Sequence, residues 1–538
     1  MLCARTAEVA PLRRPRCRIW VLLGILVLAT GVRLVGIQLG LPYYREPDED
    51  TKVEPAVRMV VEGHWSPGWL GHPGSTTIYP LSVLYRLYWV VGHGGSLLGA
   101  NPEMLTTFER DSSPFYLVGR LLSITYAVLT VAMVYYLAQL LLPREPAWSH
   151  LLAAGIAAID PSLVFWSRIA RTDTALAFFV TATLVLSLRA RSCPLATRVL
   201  MAGAAGGLAV GSKYSAAAVL LTLPAALVLA RPDGQPLRAQ RWVGLSILGA
   251  LAAVFAFALS TPTFLLDWKL AQEALLTETR TAHLGADGLS VGGNLVYYLS
   301  RAFPYWLTWP LYMAGLVGLA KGLAKYGRQW LVVLAFVVPY VVETTLHPLH
   351  WDRWIVPTLP MLWVGGALAA VQLSRWIAGR LHREGRGKAR QSRTLVAATV
   401  VSLLLLWPAG RTARDTIRMA TPNTRLSASR WVETHVAAGS RFAVEEYAAP
   451  LQQTVFPWVG FGYLAQHPLS YYEQEGFDYL MTSSAMVDRF FREPARYPVE
   501  VGFYTELAAR LDLVQEISPT GWWQPGPVIR IYQLRSVP

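Results

Sequence analysis

Three consecutive acids, Asp48, Glu49 and Asp50, follow closely on a long apolar run. Another acid, Asp173, closes the stretch FWSRIARTD, Phe165 to Asp173, with Arg168 and Arg171 just before it. Carboxylates converging from two loops can divide labour, one taking a proton while the other orients it or holds a cation. Cations occur in similar settings: Lys213 in GSKYS, Arg353 in HPLHWDRW and Arg33 near the end of the first apolar run. Together such cations could hold a phosphate. Acids with phosphate-binding cations at a lipid boundary suggest a substrate with a phosphate and a lipid tail. Each residue also has a bland reading. Long basic side chains snorkel to headgroups, Asp173 has the position of a helix N-cap, and acids at 48–50 suit a solvated loop. Four histidines, His72 in GHPGS, His283 in RTAHLG, and His347 and His350 in HPLH, are candidates to bind substrate or, with a carboxylate, a divalent metal. That metal is the one cofactor these residues suggest.

The chain that must position these groups is 53% hydrophobic and 15% charged. Soluble domains carry about a quarter charged residues, so the composition implies a polytopic α-helical membrane protein. Runs long enough to span the hydrocarbon lie near 19–39, 115–141, 149–166, 173–189, 197–212, 215–230, 242–262, 304–321, 329–346, 354–373 and 394–410. Eleven spans put the termini on opposite sides. Arg5, Arg13, Arg14, Arg16 and Arg18, then Arg189, Arg191 and Arg198, then Arg231, Arg238 and Arg241, then Lys321, Lys325 and Arg328, and finally the run Arg375–Arg393 all fall on one side, which the positive-inside rule makes cytoplasmic. The formal charge of +14 is therefore topogenic, and nucleic acid is not an expected partner.

The organisation expected is a cytoplasmic N-terminus, 1–18, a transmembrane domain, 19–410, and a small extracytoplasmic α/β domain, 411–538. Outer loops occupy 40–114 and 261–303. In the first, Val53, Val57, Val60 and Val61 have helical spacing, and Ile78 to Val91 is apolar and aromatic; both read as helices on the outer membrane surface. In the tail, SRFAVEEY, FDYLMTSS, LDLVQEIS and VIRIYQL read as strands. GWWQPG, Gly521 to Gly526, reads as a turn with two exposed aromatics. The first apolar run lacks a small-residue cleavage site and reads as a retained anchor. Cys3, Cys17 and Cys193 offer no disulfide framework.

PDED followed by HPGSTTIYPL resembles the first outer loop of the GT-C membrane glycosyltransferases, in particular the protein O-mannosyltransferase and aminoarabinose-transferase branch, which uses phospholipid-carried sugars. GRLLS, SRIARTD, GLAVGSKYS and DRWIVPTLP are similar to that branch as well, in order and spacing across most of 18–410. One departure is Gly74, where the family usually has a second Pro after its His-Pro or Lys-Pro. The resemblance implies a plasma-membrane enzyme that transfers a sugar, with inversion, from a polyprenyl-phosphate donor to an acceptor on the extracytoplasmic face. It implies Asp48 as base, Glu49 as its support or as a ligand, and Asp173 as the residue that orients the acceptor or shares the base role. Lys213 and Arg353, with Arg168 and Arg171 beside them, would anchor the lipid phosphate, and His72, His283 and His350 would contact substrate. The acceptor, whether protein, lipid or glycan, stays open. The rival readings are a transporter or flippase of a polyprenyl-linked glycan and a non-catalytic anchor for the outer domain.

Overall fold

The computed structural model describes residues 15–42, 46, 48–71, 73–231, 235–381 and 389–534. The chain divides into two compact units, Met1–Leu34 with Asp48–Ala413, and Val35–Pro47 with Arg414–Pro538.

The first unit is helical. Helix α1 is Pro15–Leu34. The expected outer loop holds three helices, α2 (Asp50–Val61), α3 (Ser75–His93) and α4 (Glu103–Arg110). There follow α5 (Ser113–Leu141), α6 (Ala147–Ala158), α7 (Pro161–Ser167), α8 (Asp173–Ser192) and α9 (Ala196–Ser212). Six of the described helices are long and apolar enough to cross a membrane, and the pair α6 and α7, bent by 50°, makes a seventh if taken as one span. Two of the eleven expected spans are short or broken. The one at 197–212 is a helix of 17 residues, and the one at 215–230 opens as a 3-10 segment, Tyr214–Leu221. Neighbouring helices, rather than lipid alone, surround such pieces.

Burial separates centre from perimeter. The apolar window of α8 is 72% buried and that of Asp352–Leu381 is 89% buried, whereas that of Ala239–Ser260 is 17% buried. Small residues let α9 approach Ala239–Ser260 closely: a β-carbon at Gly207 would lie 2.1 Å from the Ala253 carbonyl oxygen. At the α6–α7 bend, Asp160 accepts from the Leu163 amide at 2.9 Å and from Trp363 Nε1 at 3.0 Å. Arg33 donates to the carbonyls of Ala29, at 2.9 Å, and Ala158, at 2.8 Å, tying α1 to the same bend.

The second unit holds a five-stranded sheet of β1 (Phe442–Glu445), β2 (Trp458–Phe461), β3 (Tyr479–Ser483), β4 (Asp512–Ile517) and β5 (Ile529–Gln533), in the order β2-β1-β3-β5-β4. β1 runs parallel to β2 and β3, and β5 is antiparallel to β3 and β4. Four of these strands match the sequence reading; β2 does not, because Gly460 and the preceding Pro457 mask its pattern. GWWQPG is a turn with Trp522 and Trp523 exposed, fastened where Gln524 Oε1 accepts from the Thr520 amide at 2.9 Å. Cys193 is disulfide-bonded, against the sequence expectation; the spacing of the three cysteines gives no sign of a bridge.

Candidate active site

The site is assembled on α5. Gly119, Arg120 and Ser123 of GRLLS face the segment between α7 and α8. A β-carbon on Gly119 would press to 2.8 Å from Ala170 Cβ, so the glycine admits that segment. Ser123 Oγ accepts from the Arg171 amide at 3.3 Å. Arg120 reaches Glu49 through Nε to Oε1 at 2.9 Å and Nη2 to Oε2 at 2.7 Å, and the Ala170 amide donates to Glu49 Oε1 at 2.8 Å. Glu49 thus fixes three chain segments to one another.

Fixing Glu49 sets its neighbour. Asp48 stands at φ 69°, the left-handed region that Asp tolerates better than most side chains. Its carbonyl accepts from Thr51 Oγ1 at 2.8 Å. Its side chain is 40% exposed, whereas that of Glu49 is buried. Arg171 Nη2 donates to Asp48 Oδ2 at 2.5 Å, and Arg353 Nη2 stands 3.6 Å from the same oxygen. Arg171 also bridges to the second acid, its Nε lying 3.4 Å from Asp173 Oδ2. Lys213 Nζ donates to Asp173 Oδ1 at 2.7 Å. The result is a chain of alternating charge, Arg353–Asp48–Arg171–Asp173–Lys213, half-open at Asp48 and buried at Asp173.

Local sequence accounts for each position. Thr172 takes the N-cap place of α8 without a side-chain cap bond, and Asp173 is the first helical residue, so its carboxylate serves the ion pair rather than the cap. Lys213 leaves α9 in extended conformation, held between Ser212, whose Oγ meets Thr76 Oγ1 at 2.7 Å, and Tyr214, whose hydroxyl donates to the Leu70 carbonyl at 2.9 Å. Three site cations rest on tryptophan faces: Arg171 5.1 Å from the Trp166 centroid, Arg353 5.0 Å from Trp351, and Lys52 4.2 Å from Trp69. For Asp48, burial would raise its pKa, but Arg171, Arg353 and Lys52 outweigh it and hold the carboxyl below the ordinary range.

The structure brings together Asp48, Asp173, Arg171, Lys213 and Arg353 from the sequence-predicted set. Glu49 lies beside them with both oxygens engaged by Arg120. Arg168 does not join the cluster; its Nη2 donates to the Val32 carbonyl at 2.5 Å and ties the segment to α1. Arg33 is likewise spent on backbone carbonyls. His283 packs its ring 5.1 Å from Trp351, the ring that carries Arg353, and His350 packs 4.6 Å from Tyr297. His72 lies outside the described residues. Among the described residues no three His, Cys, Asp or Glu side chains converge to hold a metal ion. Sequence reasoning missed Lys52, Arg120 and the three tryptophans. Two signals were present: Lys52 follows Asp48 by four positions, one helical turn, and Arg120 lies inside GRLLS.

Apolar helices around a cluster of acids and bases at helix ends, with a small sheet unit after them, define a multi-pass membrane protein of the GT-C fold, and the resemblance read from the sequence holds. The family model for dolichyl-phosphate-mannose-protein mannosyltransferase matches residues 88–274, which include Asp173 and Lys213. The archaeal oligosaccharyltransferase AglB from Archaeoglobus fulgidus, solved with an inhibitory peptide and a dolichol-phosphate, is similar with a TM-score of 0.54 and 12% identity, over 91% of this chain and 71% of that one. ArnT from Cupriavidus metallidurans in the apo state has a TM-score of 0.53 and 15% identity, over 96% of this chain and 98% of that one. The same protein bound to undecaprenyl phosphate has a TM-score of 0.50 and 14% identity, over 95% and 98%. No curated protein matches the chain in sequence.

Proposed function

We propose that this chain is a membrane glycosyltransferase that moves a sugar, with inversion, from a polyprenyl-phosphate carrier to an acceptor at the extracytoplasmic face of the plasma membrane, its N-terminus cytoplasmic and its sheet unit outside. The observation that carries the reading is Asp48: a carboxylate in a left-handed turn, partly open, on a row of cations. Structural likeness to a protein solved with undecaprenyl phosphate and to one solved with dolichol-phosphate supports a lipid-phosphate donor.

In the step proposed, Asp48 accepts the proton of the acceptor hydroxyl as its oxygen attacks the anomeric carbon. The bond from that carbon to the phosphate oxygen breaks, and the electron pair leaves on the phosphate. A lipid phosphate is a stable anion, so it needs cations more than a proton. Arg353, the looser partner of Asp48 at 3.6 Å, is the one an entering phosphate can draw towards itself. Its withdrawal would leave Asp48 more basic once the donor is seated. Lys213 and Arg171 stay on Asp173, which orients the acceptor.

The test uses the purified chain in lipid, a panel of polyprenyl-phosphate sugars, and an envelope fraction as acceptor. Release of polyprenyl phosphate from one donor by wild type, and its loss in Asp48→Asn, is the expected result and names the sugar. No release from any donor overturns the reading.

A further inference from the structure

The sheet unit has a pocket of its own. β3 and β5 pair with Thr482 opposite Arg530, and Tyr532 stands two residues further along β5. Side chains alternate between faces along a strand, so these three share one face of the sheet. The helix Ser484–Arg492 leaves directly from β3, and the helix Pro498–Arg510 follows it. Between these helices and that face lies a pocket of about 310 Å³. The first helix lines it with Asp488 and Phe491, the second with Tyr504 and Ala508, pairs three and four residues apart that a helix brings to one side.

The walls are fixed from behind. The Tyr504 hydroxyl donates to the buried Glu445. Ser484 Oγ accepts from the Val528 amide at 3.0 Å, fastening the first helix to the start of β5. Arg530 donates through Nε to Glu516 Oε2 at 2.7 Å, and among the described residues its two terminal nitrogens have no other partner. Asp488 is exposed and enters no ion pair among the described residues. Phe491 is 48% exposed, whereas its neighbour Phe490 is buried.

A carboxylate and a guanidinium line the same pocket, which suits neither a simple anion nor a simple cation. They suit a neutral ligand whose groups both donate and accept. Hydroxyls do so: they can donate to Asp488 and accept from Arg530, and a charged partner strengthens each such bond. The aromatic side chains ask for an apolar side as well. The C–H face of a sugar ring supplies it, because its hydrogens carry partial positive charge and an aromatic face is negative. The volume lies at the small end of the range of about 300–1,000 Å³ for ligand pockets, room for one ring rather than a long glycan.

We propose that this pocket binds one ring of a neutral saccharide, with Asp488 and Arg530 on its hydroxyl groups and Phe491 against its C–H face. The site is made of sheet-unit residues alone. It gives that unit a task, holding a glycan, that goes beyond the transfer step proposed above and does not depend on it.

The experiment titrates the full chain in lipid nanodiscs with the methyl glycosides of glucose, galactose, mannose and N-acetylglucosamine, and reads contact with their ring protons by saturation-transfer NMR. A single ring should bind at about 1–10 mM. Asp488→Ala should weaken binding about tenfold, the loss of a charge-assisted hydrogen bond. Ala508→Trp adds bulk at an exposed position, removes no packing, and should abolish binding. Asp48→Asn should bind as wild type does, since the charged row takes no part. Binding to Ala508→Trp and Asp488→Ala at wild-type affinity would overturn the proposal. So would a signal lost in Asp48→Asn and kept in Ala508→Trp, which would put the sugar at the charged row. The absence of binding by all four glycosides to the unaltered chain would overturn it too, without any variant having to fold. Release of polyprenyl phosphate could persist in each of these cases, so failure here and failure of the transfer reading are distinct.

Discussion

Arg120 grips Glu49 with two parallel hydrogen bonds, 2.9 Å and 2.7 Å long, and neither side chain reaches solvent. Removing one partner leaves the other charge buried and unpaired, which costs about 3–5 kcal/mol in such pairs. Glu49→Ala and Arg120→Ala should each lower stability by that order. Replacing both by apolar residues of similar volume, Glu49→Leu with Arg120→Met, should cost less than the sum, since a matched apolar pair carries no stranded charge. Thermal unfolding of the four forms in detergent reads the coupling. Strictly additive losses would mean that the two residues act independently.

Asp48 has a different character, partly open and shared between two guanidinium groups. Asn also tolerates the left-handed backbone, so Asp48→Asn should keep the turn while removing the base. Transfer should fall by about 10²–10⁴-fold. Undecaprenyl phosphate should bind at least as tightly as to wild type, because Arg171 and Arg353 lose a competing carboxylate. Transfer at the wild-type rate would remove Asp48 from the base role.

The contrast between these neighbours marks what the sequence could tell. Three acids in a row announced a site, and the spacing of SRIARTD and GSKYS placed Asp173 and Lys213 at helix ends facing it. What adjacency could not show is that Glu49 and Asp48 take different partners, Arg120 and the Ala170 amide for one and the guanidinium groups of Arg171 and Arg353 for the other. Arg168 and Arg171 look alike in sequence, yet three residues in a tight reversal turn them to different partners, a carbonyl of α1 and a carboxylate. Lys52 escaped because it sits on an amphipathic helix where a lysine normally faces water. The sheet followed its alternating strands except at β2, where Gly460 breaks the pattern.

The two guanidinium groups on Asp48 fix the sign of a pH effect. Burial acts to raise its pKa, and Arg171, Arg353 and Lys52 more than reverse it. A carboxyl held low stays ionised, hence competent as a base, until the pH falls through its lowered value. The kcat/KM profile of wild type should therefore stay level on its acid side down to about pH 4, the ordinary aspartate value. Arg171→Gln removes the partner at 2.5 Å and should bring the acid limb up into the measured range; Arg353→Gln, at 3.6 Å, should move it less. An acid limb already above pH 5 in wild type and unmoved by Arg171→Gln would contradict this electrostatic assignment.

In the sheet unit, Glu445 ends β1 buried, accepting from the Ser483 amide at 2.9 Å, the Leu464 amide at 3.2 Å and the Tyr504 hydroxyl. Burial pushes its carboxyl up to about 7 despite these donors. The sign is opposite to that of Asp48. The folded unit holds a proton that the unfolded chain releases near pH 4–5, so stability is full below that range and declines as pH rises towards 7. The decline should be roughly 2–4 kcal/mol. Amide exchange of β1 and β3 in the full chain, corrected for intrinsic rates, should show stronger protection at pH 5 than at pH 7. Glu445→Gln keeps a neutral side chain at every pH and should flatten that difference. Protection that is equal at both pH values in wild type would mean that Glu445 is ionised in its buried place, held by its three donors alone.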